Sequence, residues 1–154
     1  DVPKLAGQHP EYLIAALKAY RSKERSHATM HAQAASMSDA DMADIAAFMS
    51  GTPVRSAGLK PPGTPPRAAQ TCVSCHGTDG VGISPEYPTL SGQHENYLAR
   101  ALTDYQRGGR RNPVMVGFAS QLKDSDIKAL AAYFANQRPA LETLGRRTTR
   151  FAAR

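Results

Sequence analysis

Shifted by 85 positions against itself, the sequence brings Pro3-Lys4-Leu5-Ala6-Gly7-Gln8-His9 onto Pro88-Thr89-Leu90-Ser91-Gly92-Gln93-His94, and the register continues without a gap. Tyr12 meets Tyr97, Leu13 meets Leu98, Leu17 meets Leu102, Tyr20 meets Tyr105, Met30 meets Met115, Asp39 meets Asp124 and Asp41 meets Asp126. Roughly a third of the aligned positions are identical, too many for chance in one ungapped register, so two copies of one supersecondary unit are present. Any fold for this chain must be one that can be built twice.

Inside each copy, Tyr12, Leu13, Ala16, Leu17 and Tyr20, and their counterparts Tyr97, Leu98, Ala101, Leu102 and Tyr105, recur at helical spacing and make one apolar face. A second helix is expected near 39–49 and 124–136, capped by Asp39 or Asp124, with Ile45, Phe48 and Met49 (Leu130, Tyr133 and Phe134) on its buried side. Between the two helices we expect an extended, Met-bearing segment, because Pro113 and Gly117 both oppose continuous helix. The chain has no Trp and is rich in Ala, Gly and Pro, which suits short helices better than a β core. The fold class read from these patterns is all-α.

Residues 51–66 hold five prolines and three glycines and read as a linker. The expected organisation is therefore a first unit over 1–50, the linker over 51–66, a second unit over 67–137 and a basic tail over 138–154. A short helix is expected from Arg67 to Ser74. Units this small bury little surface, and a bound prosthetic group would complete such a core.

Cys72-Val73-Ser74-Cys75-His76 names that group. C-x-x-C-H is the signature of covalent haem attachment, in which each thiol adds to a vinyl group and the adjacent histidine ligates iron. A structural zinc site would need four ligands, and the sequence has no second cysteine pair. A thioredoxin-like dithiol belongs after a strand in an α/β pattern, which is missing here. A plain disulfide leaves the histidine and the repeat unexplained.

Met115 is the candidate sixth ligand, about forty residues after His76 in the segment bounded by Pro113 and Gly117. A methionine alone is more often core filler. Its repetition as Met30 strengthens the ligand reading for both. His27 and His31 flank Met30 and compete with it, and the ungapped register selects Met30.

Cys-x-x-Cys-His-Gly, then Pro-x-Leu-x-Gly-Gln with Tyr97-Leu98, then a Met followed by Leu-x-Asp-x-Asp-Ile and Ala-Ala-Tyr-Phe, resembles the cytochrome c4 family. The resemblance covers Arg67 to Gln137 fully and Val2 to Ser50 in part. It implies two cytochrome c domains about a pseudo-twofold axis, two haem c groups, a periplasmic location and single-electron delivery to a terminal oxidase or similar acceptor. It also implies Cys72, Cys75, His76 and Met115 as the second haem site, with the Pro88 carbonyl receiving the other N–H of His76. Gln93, Tyr97 and Arg107 are candidates for a haem propionate, against plain readings as helix start, core and surface. His9 and His94 read as helix-start residues, and Gly77 and Gly80 as points where backbone approaches the haem edge.

The first copy begins at Asp1-Val2-Pro3, where its own C-x-x-C-H should already have passed. The expectation is a further C-x-x-C-H upstream in the gene, with a haemless relic as the alternative. The net charge of +6 is concentrated after residue 50, with fourteen Lys/Arg against seven Asp/Glu. Arg107, Arg110 and Arg111 form one cluster, and Arg146, Arg147, Arg150 and Arg154 another. The plain reading is a solvated surface, the functional one docking to an acidic redox protein or peripheral contact with a membrane. Nucleic acid is excluded as a partner, since no binding motif or aromatic platform accompanies the arginines. No run of about twenty apolar residues could cross a membrane.

With both axial positions filled there is no open coordination site for a substrate, so the chain reads as an electron carrier and not an enzyme. Its redox partners would be a terminal oxidase, a cytochrome bc complex or a dehydrogenase. The competing readings are the cytochrome subunit of a larger dehydrogenase and a diheme peroxidase, which would need Met115 absent or displaced.

Overall fold

The computed structural model describes residues 2–51 and 64–143, and within them every regular element is a helix. The first half contains α1 (Pro10–Arg21), α2 (Ala28–Ala35) and α3 (Asp39–Ser50). The second contains α4 (Ala69–His76), α5 (Glu95–Gln106), α6 (Pro113–Ala119) and α7 (Asp124–Ala135). Adding the 85-residue offset to α1 and α3 gives the bounds of α5 and α7, so the repeat in sequence is a repeat in structure. Among the described residues α4 has no counterpart in the first half. Most of the linker, residues 52–63, and the tail cluster Arg146, Arg147, Arg150 and Arg154 lie outside the described residues.

The Met-bearing segment departs from the extended form expected of it, since α2 and α6 are short helices that contain Met30 and Met115. Pro113 starts α6, where a missing N–H costs nothing and the fixed φ is already helical. Asn112 then caps it, its Oδ1 accepting the Met115 N–H at 3.1 Å. Gly117 costs a helix interior only about 1 kcal/mol, too little to break a capped turn. The expected caps at Asp39 and Asp124 also move by one. Ser38 caps α3 in a reciprocal box with Asp41, and Asp126 Oδ2 accepts the Lys123 N–H ahead of α7 at 3.0 Å. The helix expected to stop at Ser74 runs on through the cysteine motif to His76.

Helix α5 packs on α6 and α7, and α1 packs on α2 and α3. The second-half core joins Ala69, Leu98, Leu130, Ala131, Tyr133 and Phe134, with Cys72, Val73, Leu90 and Tyr97 against it. Its first-half equivalent is thinner. Phe48, expected on the buried side of α3, is 70% exposed, whereas its repeat mate Tyr133 is 7% exposed. Tyr133 belongs to the core that Ala68 and the α4 residues Ala69, Cys72 and Val73 complete, and Phe48 has no such helix above it among the described residues.

The two halves are joined by paired hydrogen bonds that obey the repeat. The Gln8 side chain brackets the backbone of Thr89, Oε1 accepting from Thr89 N–H at 2.8 Å and Nε2 donating to its carbonyl at 3.0 Å. Gln93 does the same to Lys4, at 2.9 and 3.0 Å. Farther along, Ser26 N–H donates to the Gly109 carbonyl and Arg111 N–H to the Glu24 carbonyl, so that Arg25 pairs with Arg110, its own repeat mate. These exchanges define a pseudo-twofold axis. Residues 137–143 add an unforeseen strap: Leu141 is fully buried, Ser91 Oγ donates to the Arg138 carbonyl, and Ala6 and Glu142 exchange backbone bonds.

The haem attachment site

Helix α4 carries Cys72, Cys75 and His76 at spacings of three and four, which puts all three on neighbouring positions of one face. Neither cysteine is in a disulfide. Cys72 is half-buried, its Sγ 3.4 Å from the Ala68 carbonyl, and burial pushes its thiol pKa up. The helix stops at Gly77, whose φ of +77° lets the chain turn sharply while its N–H still bonds the Val73 carbonyl. Gly80, at φ +75°, then accepts from the N–H groups of Leu90 and Ser91, and Ile83 N–H returns to the Cys75 carbonyl. Gly77 and Gly80 thus fold the 78–92 loop back over the end of α4.

That loop delivers Pro88. Its carbonyl oxygen lies 2.9 Å from His76 Nδ1, and since a carbonyl only accepts, Nδ1 carries the proton. Nε2 is then left with its lone pair, the form needed to bind a metal. Burial lowers the His76 pKa, while the Pro88 bond acts the other way and is the weaker influence. His76 is 6% exposed, with the Tyr87 ring edge-on at 6.4 Å.

These residues fit a covalently bound haem. Two unpaired thiols and a buried, correctly protonated imidazole share one helix face, and α6 carries the half-buried Met115 with the apolar side chains of Val114 and Phe118 exposed beside it. Among the described residues no group of three or more His, Cys, Asp or Glu side chains is placed to hold a metal ion.

The remaining candidates are redistributed. His9 and His94 stand at the N-caps of α1 and α5, as expected. In the first half, His27 takes the place of Asn112, its Nδ1 accepting the Met30 N–H at 3.2 Å. His31 Nδ1 lies 2.9 Å from the Tyr20 carbonyl, so this nitrogen too is occupied. Gln93 holds Lys4, and Arg107 is exposed.

Sequence reasoning missed Arg110, which it grouped with surface charges and which is 7% exposed. Tyr97 Oη accepts from Arg25 Nη2 at 2.7 Å and from Arg110 Nη2 at 3.3 Å. Arg25 lies over the Tyr20 ring at 4.5 Å, and Arg110 near the rings of Tyr97 and Tyr105. Burial alone would raise the Tyr97 pKa, but the two guanidiniums outweigh it and bring it below the ordinary phenol value. The signal that would have found Arg110 is the repeat itself, since Arg25 is identical in the first copy.

The chain is similar to known proteins along most of its length. Residues 67–134 match the family model described as cytochrome C oxidase, cbb3-type, subunit III. The chain is 33% identical over 150 residues to cytochrome c4 of Pseudomonas aeruginosa, covering 86% of this chain and 74% of that protein. It is 34% identical over 151 residues to the thiosulfate dehydrogenase electron acceptor of Stutzerimonas stutzeri, covering 87% and 70%. The solved cytochrome c4 of Acidithiobacillus ferrooxidans superposes with a TM-score of 0.73 at 30% identity, covering 88% of each chain. With a haem c site at Cys72, Cys75 and His76, and relatives of this kind along most of its length, the chain belongs to the cytochrome c4 family.

Proposed function

We propose that this cytochrome carries single electrons in the periplasm through haem that would be held by Cys72, Cys75, His76 and Met115, and passes them to a respiratory acceptor such as a terminal oxidase. The observation that carries the reading is the state of His76: buried, with its Nδ1 proton given to Pro88, it has only Nε2 to offer iron. Haem, when bound, supplies a one-electron iron couple whose potential a thioether ligand raises relative to two nitrogens. The protein's own contribution is to fix the ligands. Cys72 and Cys75 anchor, Pro88 orients His76, and Asn112 holds the first turn of α6 around Met115. Attachment through thioethers follows export in bacteria, which is the ground for the periplasmic location, and none of the described helices is long and apolar enough to cross a membrane.

Met30 occupies in α2 the place that Met115 has in α6, and we assign it the same role toward a second haem in the first half. A second reading of the partner is favoured by one relative, named as the electron acceptor of thiosulfate dehydrogenase: this chain would then take electrons from a dehydrogenase.

The test is Met115→Ala in the haem-loaded protein. The oxidised wild type should show the far-red sulfur-to-iron band, and the variant should lose it and fall in reduction potential. An unchanged spectrum and potential would mean that another residue is the ligand.

A further inference from the structure

One peptide group lies between the two halves and the haem ligand. The carbonyl of Pro88 accepts from His76 Nδ1 at 2.9 Å, and the N–H of the same peptide unit, that of Thr89, donates to Gln8 Oε1 at 2.8 Å. Gln8 is 4% exposed and Thr89 1%, so water does not compete for these bonds. The amide of Gln8 is also fixed from its other end, Nε2 donating to the Thr89 carbonyl at 3.0 Å. A peptide whose N–H is hydrogen-bonded has a more negative carbonyl oxygen, and bonds in such a chain strengthen one another in a low-dielectric interior. The oxygen that Gln8 makes more negative is the one that holds the His76 proton.

We propose that Gln8, a residue of the first half, is a positioning residue for the second-half haem ligand: through the Pro88–Thr89 peptide it strengthens the bond to His76 Nδ1 and so raises the electron-donating power of the imidazole. The proposal rests on His76 being the haem ligand. A more basic imidazole favours the oxidised iron, so Gln8 holds the reduction potential down. The coupling makes the junction between the halves part of the electronic surroundings of the site and more than a packing surface. It also gives the repeat a chemical use, since Gln93 bonds the Pro3–Lys4 peptide of the first half in the same way.

The experiment compares Gln8→Leu with Gln93→Leu in the full haem-loaded chain. Both variants break one of two equivalent clasps across the junction, but only the first touches the peptide bonded to His76. The reduction potential of the haem held by His76 and the proton resonance of His76 Nδ1–H are measured for each. We expect Gln8→Leu to raise the equilibrium constant for reduction about two- to fivefold and to shift the Nδ1–H resonance toward a weaker bond. Gln93→Leu should leave both near the wild-type values. Equal shifts in both variants, shifts only in Gln93→Leu, or no shift in either would overturn the proposal and leave Gln8 as an interface residue.

Should Gln8→Leu not fold, Gln8→Glu keeps an acceptor for Thr89 N–H and a stronger one. Its potential should fall, with the Nδ1–H bond retained, and a rise would overturn the proposal. Failure of the underlying assignment would look different, because a wild-type chain without thioether-bound haem gives no potential to compare.

Discussion

Arg25 and Arg110 are one residue of the repeat meeting itself: they form an isolated antiparallel bridge at the pseudo-twofold axis, and both guanidiniums reach the Tyr97 hydroxyl, from 2.7 and 3.3 Å. Taking a cation out of water costs several kcal/mol. A contact with an aromatic face returns about 0.5–2 kcal/mol. A hydrogen bond involving a charged group returns about 1.5–3 kcal/mol. The shared hydroxyl is thus a large part of what makes the arginine pair tolerable. Asp104 adds less, its Oδ2 standing 3.7 Å from Arg110 Nε, beyond hydrogen-bond reach.

Tyr97→Phe keeps the ring and removes that acceptor from both arginines. The expected loss is about 3 kcal/mol of unfolding free energy, read by denaturant melting. A loss under about 0.5 kcal/mol would show that the guanidiniums are satisfied elsewhere.

Tyr12, in the same cluster, has its pKa pushed up to about 12 by burial and then by the neighbouring Tyr97. A phenol whose folded pKa is raised contributes stability that is complete below its unfolded value near 10 and is lost as pH climbs through the folded value. The melting temperature should therefore fall between about pH 10 and 12, and fall less steeply in Tyr12→Phe. Identical alkaline profiles for the two proteins would contradict this.

Phe48 and Tyr133 stand at the same place in the repeat in opposite surroundings, 70% and 7% exposed. Phe48→Ala should change stability by no more than about 0.5 kcal/mol. Tyr133→Ala should cost about 3–5 kcal/mol, the usual price of emptying a core aromatic. Thermal or denaturant melting of the two variants decides it, and comparable losses would mean that Phe48 is covered in solution.

Covalent attachment through both cysteines predicts that acidic acetone leaves haem on the protein. The Cys72→Ala and Cys75→Ala variants should each retain a single thioether, and the double variant none. Mass spectrometry under denaturing conditions reads the result directly.

Much of this was legible in the chain before folding. The repeat made α1 and α3 predict α5 and α7, because a hydrophobic face with helical spacing must be buried in the same way wherever it recurs. Cys72, Cys75 and His76 declared the haem site because their chemistry depends on a local spacing that one helix preserves. The form of the Met-bearing segment is ambiguous in the sequence, because Pro113 breaks a helix interior but, one residue after a capping Asn112, starts a helix.

What the sequence could not contain was decided by contacts between residues far apart in the chain. That Gln8 should clasp Thr89, that Arg110 should be buried while Arg107 is not, and that Leu141 should be fully buried depend on where the second copy sits against the first. A local pattern reports which face of a helix wants to be buried. Only the packed structure determines what that face meets, since hydrogen bonds and burial across the junction exist only after both copies have folded.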